Sequence, residues 1–172
     1  QVSHVTITMN AVDPEIGGKV YSWARHDRMI RRGRKAGELM IEKQIQAIRW
    51  IKEYGMIAKV NSILIPGVNE DHLPEIARTV AELGADIMNS IPLLPTKDTV
   101  FEDLPEPDAK MRFATRLKCG EHMNQMTHCA RCRADAIGKL SEPMSEDLNE
   151  LIKGCSRLPI DPQQNRPYVA VG

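Results

Sequence analysis

Three short strand-like runs, separated by segments with helical spacing, constrain this chain more than any other feature of it. In the first, within residues 1–10, Val5, Ile7 and Met9 alternate with Thr6 and Thr8, a period of two that suits a strand. Asp13-Pro14-Glu15 follows with a capping side chain, a proline fit for a first turn and a carboxylate near the positive end of a helix dipole. A short helix toward Trp23 is therefore expected. Leu39, Ile41, Ile45, Ile48, Ile51 and Lys52 keep helical spacing up to Gly55, which stands where a helix stops. Residues 58–65 read as a second strand, broken by Pro66-Gly67, then residues 71–83 as a helix ended by Gly84, and residues 86–94 as a third strand. Strand, helix, strand, helix, strand in succession predicts parallel βαβ units with right-handed crossovers. The expected fold is α/β, and three such strands make half of a (βα) barrel, with open strand edges that another segment could pair.

The intervening segments carry the charge. Residues 25–35 hold seven basic residues among eleven, with Gly33 and no apolar stripe, and read as an exposed basic loop. Such a loop is either a solvated face or a site for an anion or a cluster-assembly partner. Residues 94–108 are rich in proline and acidic residues, a long loop of the kind that often has a function or acts as a lid, and residues 111–123 read as a further helix. Over the whole chain Lys+Arg and Asp+Glu both total 23, so no basic field exists to hold nucleic acid. No apolar run approaches the roughly 18–20 residues that cross a bilayer, and no signal-peptide pattern opens the chain, so no membrane partner and a cytoplasmic location are expected. The chain opens on a strand pattern without a Met and closes on Arg-Pro-Tyr-Val-Ala-Val-Gly, a proline and a short apolar run, so both ends read as cut.

Four cysteines, Cys119, Cys129, Cys132 and Cys155, are too few and too unevenly spaced for a secreted disulfide framework, which leaves metal or thiol chemistry. In Thr127-His128-Cys129-Ala130-Arg131-Cys132-Arg133 the two thiols can reach one metal or one cluster edge. A zinc half-site and a redox dithiol are the rivals. No second pair completes a zinc knuckle, and the pair follows a helix and a polar link rather than opening a helix after a strand. Arg131 and Arg133 would lower the thiolate pKa values and offset an anionic cluster, or form surface ion pairs; His128 is a third ligand or a hydrogen-bonding neighbour. Cys119 and Cys155 read as buried apolar thiols. Asn10, Asn61 and Asn89 lie in or just after the carboxyl-terminal halves of the three strands, where parallel α/β sheets and barrels bind ligands. For Asn10, before Asp-Pro, a turn role competes. Ile65-Pro66-Gly67-Val68-Asn69-Glu70 sets a small residue at a strand end, which permits close approach of a flat ligand such as adenine.

The stretches ITMNAVDPEIG (7–17), KVNSILIPGVNEDHLPEIAR (59–78), ELGADIMNSIPLLP (82–95) and MTHCARCRADAIG (126–138), in this order and spacing, resemble the NifB family of radical S-adenosylmethionine (SAM) proteins. The resemblance implies a partial (βα) barrel of the radical SAM type with a carboxyl-terminal helical and loop extension. It implies the closing βα units in residues 1–95, a loop, helix and cluster-binding extension in 96–140, and a helix and linker toward a further domain in 141–172. The activity it implies is cleavage of SAM by a [4Fe–4S] cluster held on a CxxxCxxC motif. Two further [4Fe–4S] clusters are fused with a SAM-derived carbide and an added sulfur into NifB-co, the precursor of the nitrogenase cofactor. Implied cofactors are SAM and [4Fe–4S] clusters, and implied partners are iron–sulfur cluster donors, nitrogenase cofactor carrier proteins and the missing amino-terminal half of the barrel. By the same resemblance Cys129 and Cys132 ligate a substrate cluster, and Thr8, Asn10, Asn61, Ile63 and Ile65 line the SAM side. The 172 residues contain no CxxxCxxC, so this polypeptide alone is expected to be inactive. A non-catalytic cluster-binding scaffold and a structural zinc module are the other classes of function.

Overall fold

The computed structural model describes residues 2–126, which contain five strands and four helices. They run β1 (His4–Thr8), α1 (Pro14–Val20), β2 (Trp23–His26), β3 (Met29–Arg32), α2 (Arg34–Glu53), β4 (Ile57–Leu64), α3 (Leu73–Glu82), β5 (Ile87–Pro92) and α4 (Ala109–Gly120). β1, β4 and β5 form one parallel sheet in that order, with Thr8 aligned to Asn61 and Asn61 to Asn89. This is the expected α/β class, parallel strands under covering helices.

Strand alternation divides the sheet into two chemically different faces. Ala58, Val60, Ser62 and Leu64 of β4 are buried, and Val60, Leu64 and Met88 join one core with Ile41 and Ile48 of α2 and Leu73, Ile76, Ala77 and Val80 of α3. Ile57, Lys59, Asn61 and Ile63 alternate with them and lie on the opposite, inner face. Local chemistry explains the starts of α1 and α4. Asp13 caps α1 by accepting from the N–H groups of Glu15 (2.8 Å) and Ile16 (3.1 Å), with Pro14 at the first position. Asp108 caps α4 by accepting from Met111 N–H at 2.7 Å, which starts that helix two residues earlier than its apolar spacing suggests. Cys119 and Met123 carry the far end of this segment into the core. The backbone then runs alongside β5: Met88 N–H donates to the Asn124 carbonyl at 3.0 Å and Met126 N–H to the Met88 carbonyl at 2.7 Å, so residues 124–126 partly close one sheet edge.

The basic segment is a β-hairpin rather than a loop. β2 and β3 pair antiparallel, and the two turn residues Asp27 and Arg28 both adopt left-handed φ (50° and 63°), which matches a two-residue turn to the twist of its strands. Ala24 faces α2 and packs with Ala36 and Leu39. The five arginines of Arg25–Arg34 conceal the alternation, because the buried member of the pattern is a single alanine. Among the described residues no helix is long and apolar enough to cross a membrane.

α1 and α2 touch through glycines. A Cβ on Gly17 would lie 2.9 Å from the Gly37 Cα, and one on Gly37 would lie 2.8 Å from the Gly18 nitrogen and overlap the Pro14 carbonyl oxygen. In an open helix Gly→Ala stabilises by about 1 kcal/mol. Here the clash with backbone reverses the sign, and Gly37→Ala should destabilise by about 1–3 kcal/mol in urea unfolding; a stabilised variant would contradict the packing described.

Candidate ligand-binding site

The carboxyl ends of β1 and β4 are held by side chains that take over where the backbone ladder stops. Met9 N–H donates to the Asn61 carbonyl at 2.8 Å, and one step further the Asn10 carboxamide oxygen accepts from Ile63 N–H at 2.8 Å. Asn69, 1% exposed, accepts from Ile65 N–H at 2.8 Å and donates to the carbonyls of Asn10 (3.0 Å) and Ile63 (2.9 Å). His72 Nε2 accepts from the N–H groups of Val12 (3.0 Å) and Asp13 (3.3 Å). Four backbone segments thus become one rigid rim. Gly67 sits at its outer corner with φ 73° and open space where a Cβ would stand, so the turn requires glycine for its backbone angle.

This arrangement fixes what each candidate residue can offer. Thr8 ends β1 exposed on the inner face, in one row with Asn61 and Asn89. Asn10 is 5% exposed and its oxygen is engaged with β4. Ile63 is half-buried on the inner face, while Ile65 is 1% exposed, and both of their N–H groups are already bonded to asparagine side chains. Among the described residues, the buried Oδ1 of Asn61 has no hydrogen-bond partner, and neither has that of Asn89. Cys129 and Cys132 lie outside the described residues. Among those described, no three His, Cys, Asp or Glu side chains converge to hold a metal ion, and Cys119 is a buried thiol that burial pushes up to about 11, so it is protonated at neutral pH. Sequence reasoning missed Asn69 and His72. The signal was available for Asn69, an Asx residue just past a Pro-Gly turn; His72 bonds a loop some sixty residues away, which no local pattern reveals.

This chain is 48% identical over 171 residues to the FeMo cofactor biosynthesis protein NifB of Chlorobaculum tepidum, covering 99% of the chain and 40% of that protein. The NifB proteins of Klebsiella pneumoniae and Azotobacter vinelandii are 44% and 39% identical over 154 and 157 residues, 87% and 86% of the chain and 33% and 30% of those proteins. The chain therefore spans well under half the length of these relatives. Among solved structures, a domain of pyruvate-formate lyase-activating enzyme from Bacteroides vulgatus matches with a TM-score of 0.50 and 16% identity over 72% of the chain and 66% of that domain. That likeness concerns the fold, a partial (βα) barrel of the radical SAM type. No protein-family model matches the chain.

The rim has a pH signature. Burial holds the His72 pKa below 6.5, against the opposing pull of Asp13 and Glu75, and the imidazole must be neutral at Nε2 to accept its two bonds. A histidine depressed in the folded state contributes stability that is intact above the unfolded value near 6.5 and is lost as pH falls below it. Unfolding free energy should therefore drop between pH 7 and pH 5.5, and His72→Gln, which keeps an acceptor without titrating there, should flatten that slope. Identical slopes in the two proteins would rule out His72 as its source.

Proposed function

Because this chain belongs to the NifB family, we propose that it supplies the closing part of a radical SAM barrel in a protein of FeMo cofactor biosynthesis. In this reading the inner face of β1, β4 and β5 is the SAM side of the barrel. The observation that carries it is that, among the described residues, two buried amide oxygens on that face, Asn61 Oδ1 and Asn89 Oδ1, have no partner, since an unpaired buried polar atom costs about 1–3 kcal/mol and a bound ligand would offset that cost. The residues present thus fit a polar small molecule. Thr8 offers a hydroxyl, Ile63 an apolar wall, and the turn at Gly67 leaves room beside the rim formed by Asn10 and Ile65. SAM bound to a reduced [4Fe–4S] cluster would supply one-electron chemistry and the carbon that enters the product. The chain's own task is to orient the nucleoside against a wall that Asn69 and His72 keep from shifting. It also keeps water from the inner face once the barrel is closed.

Cys129 and Cys132 would hold one of two substrate [4Fe–4S] clusters, which are fused with a carbide and an added sulfur into NifB-co; Arg131 and Arg133 offset the charge of that cluster. The 172 residues contain no CxxxCxxC, so this polypeptide by itself should not cleave SAM. The amino-terminal remainder of the full-length protein would provide that motif, cluster donors the substrates, and cofactor carrier proteins the exit.

The test uses the full-length protein, purified without oxygen. Cys129→Ala with Cys132→Ala should lower bound iron by one cluster, leave reductive SAM cleavage measurable, and abolish NifB-co formation. Full iron content with NifB-co still made would remove the cysteines from the site. Normal cluster content without any SAM cleavage in the unmutated protein would favour a non-catalytic scaffold instead.

A further inference from the structure

Asn89 is 1% exposed, yet its Oδ1 has no partner among the described residues, and the same is true of the buried Oδ1 of Asn61. The register puts both on one face. Asn61 aligns with Asn89 between parallel strands, and their neighbours Val60 and Met88 point into the helix-covered core. Ser62, one residue on, also faces away from them and donates to the Met9 carbonyl, so the hydroxyl beside them is spent elsewhere. The two asparagine side chains therefore stand as neighbours on one face, one pleat below Ile63, with Thr8 in the same row. Asn10 and Asn69, by contrast, spend their side-chain oxygens on backbone N–H groups, those of Ile63 and Ile65, and Asn69 also donates to the carbonyls of Asn10 and Ile63. The contrast separates two asparagines that build the rim from two that are left with capacity.

We infer that Asn61 and Asn89 form a paired acceptor site for one amino group of the bound ligand. A primary amine presents two or three N–H donors from a single nitrogen, which is what two adjacent carbonyl-type oxygens require. The inference rests on the SAM reading and narrows it. SAM carries two such groups, the exocyclic amine of its purine and the ammonium of its amino acid part, and the paired oxygens serve one of them. Until the ligand arrives the two oxygens are a burden on the fold, so the site trades stability for binding.

Binding is measured by calorimetry on the anaerobic full-length holoprotein with three probes. S-adenosylhomocysteine carries both amines, methylthioadenosine only the purine amine, and S-inosylhomocysteine only the ammonium. Asn89→Leu and Asn61→Ala should each weaken S-adenosylhomocysteine by about tenfold or more. They should also weaken whichever single-amine probe keeps the recognised group, and leave the other unchanged. The same Asn89→Leu protein, free of ligand, should melt at a temperature equal to or higher than the unmutated protein, because an unsatisfied polar atom has been removed. A lower melting temperature with unchanged affinities would make Asn89 structural and overturn the inference while leaving the SAM reading intact. If the unmutated holoprotein binds S-adenosylhomocysteine no better than adenosine, the reading beneath it fails and the inference falls with it.

Discussion

The Asn69 carboxamide is the contact on which the rest of this sheet end depends. It is buried, and its two ends satisfy three backbone groups from the β1–α1 loop and from the end of β4. A parallel sheet leaves its strand ends without ladder partners just where a ligand must approach. Water cannot serve those groups once the site closes, so side chains have to. Asn69 does this from within the β4–α3 turn, and His72 extends the same clamp to Val12 and Asp13. With both loops fixed, Asn10 can prolong β1 by a side-chain bond to Ile63, and Thr8 and Asn61 stay aligned above the core.

Much of this was legible in the sequence, for identifiable reasons. The boundaries of β4 and β5 lie within one or two residues of the expected runs, and in β4 one face is buried on helices, so burial alternates along the strand. Asp13-Pro14-Glu15 announced its helix since capping is local chemistry. The hairpin of β2 and β3 was hidden, because pairing there buries only Ala24 and leaves the arginines to dominate the pattern. The clamp was hidden for the opposite reason: its bonds connect residues up to sixty apart. For the candidate site, strand position draws attention to Asn10, Asn61 and Asn89, and the structure aligns Asn61 with Asn89 and sets Asn10 just past β1; Thr8, Ile63 and Ile65 come from the family resemblance. The sequence could not tell that the Asn10 side-chain oxygen is bonded while that of Asn61 has no partner among the described residues, since that difference is made by the neighbours each side chain meets in three dimensions. Cys129 and Cys132 lie beyond the described residues, and their role stands on the family resemblance.

The two faces of the sheet follow opposite rules. The helix side is mostly apolar; Ser62 there donates to the Met9 carbonyl and Gln44 of α2 donates to the Thr8 carbonyl. On the inner side polar groups remain with unused capacity, and the adjacent strand edge at β1 has no partner among the described residues. A chain that spans 40% or less of its relatives' length can keep such a face because, in this account, the remainder of the protein and the ligand complete it.

The most direct measurement is a crystal structure of the full-length protein with SAM bound. The account predicts the nucleoside against the inner face, with one of its nitrogens between Asn61 and Asn89 and the rim of Asn10, Asn69 and His72 unchanged. Protein side chains filling that row, with SAM bound elsewhere, would contradict it.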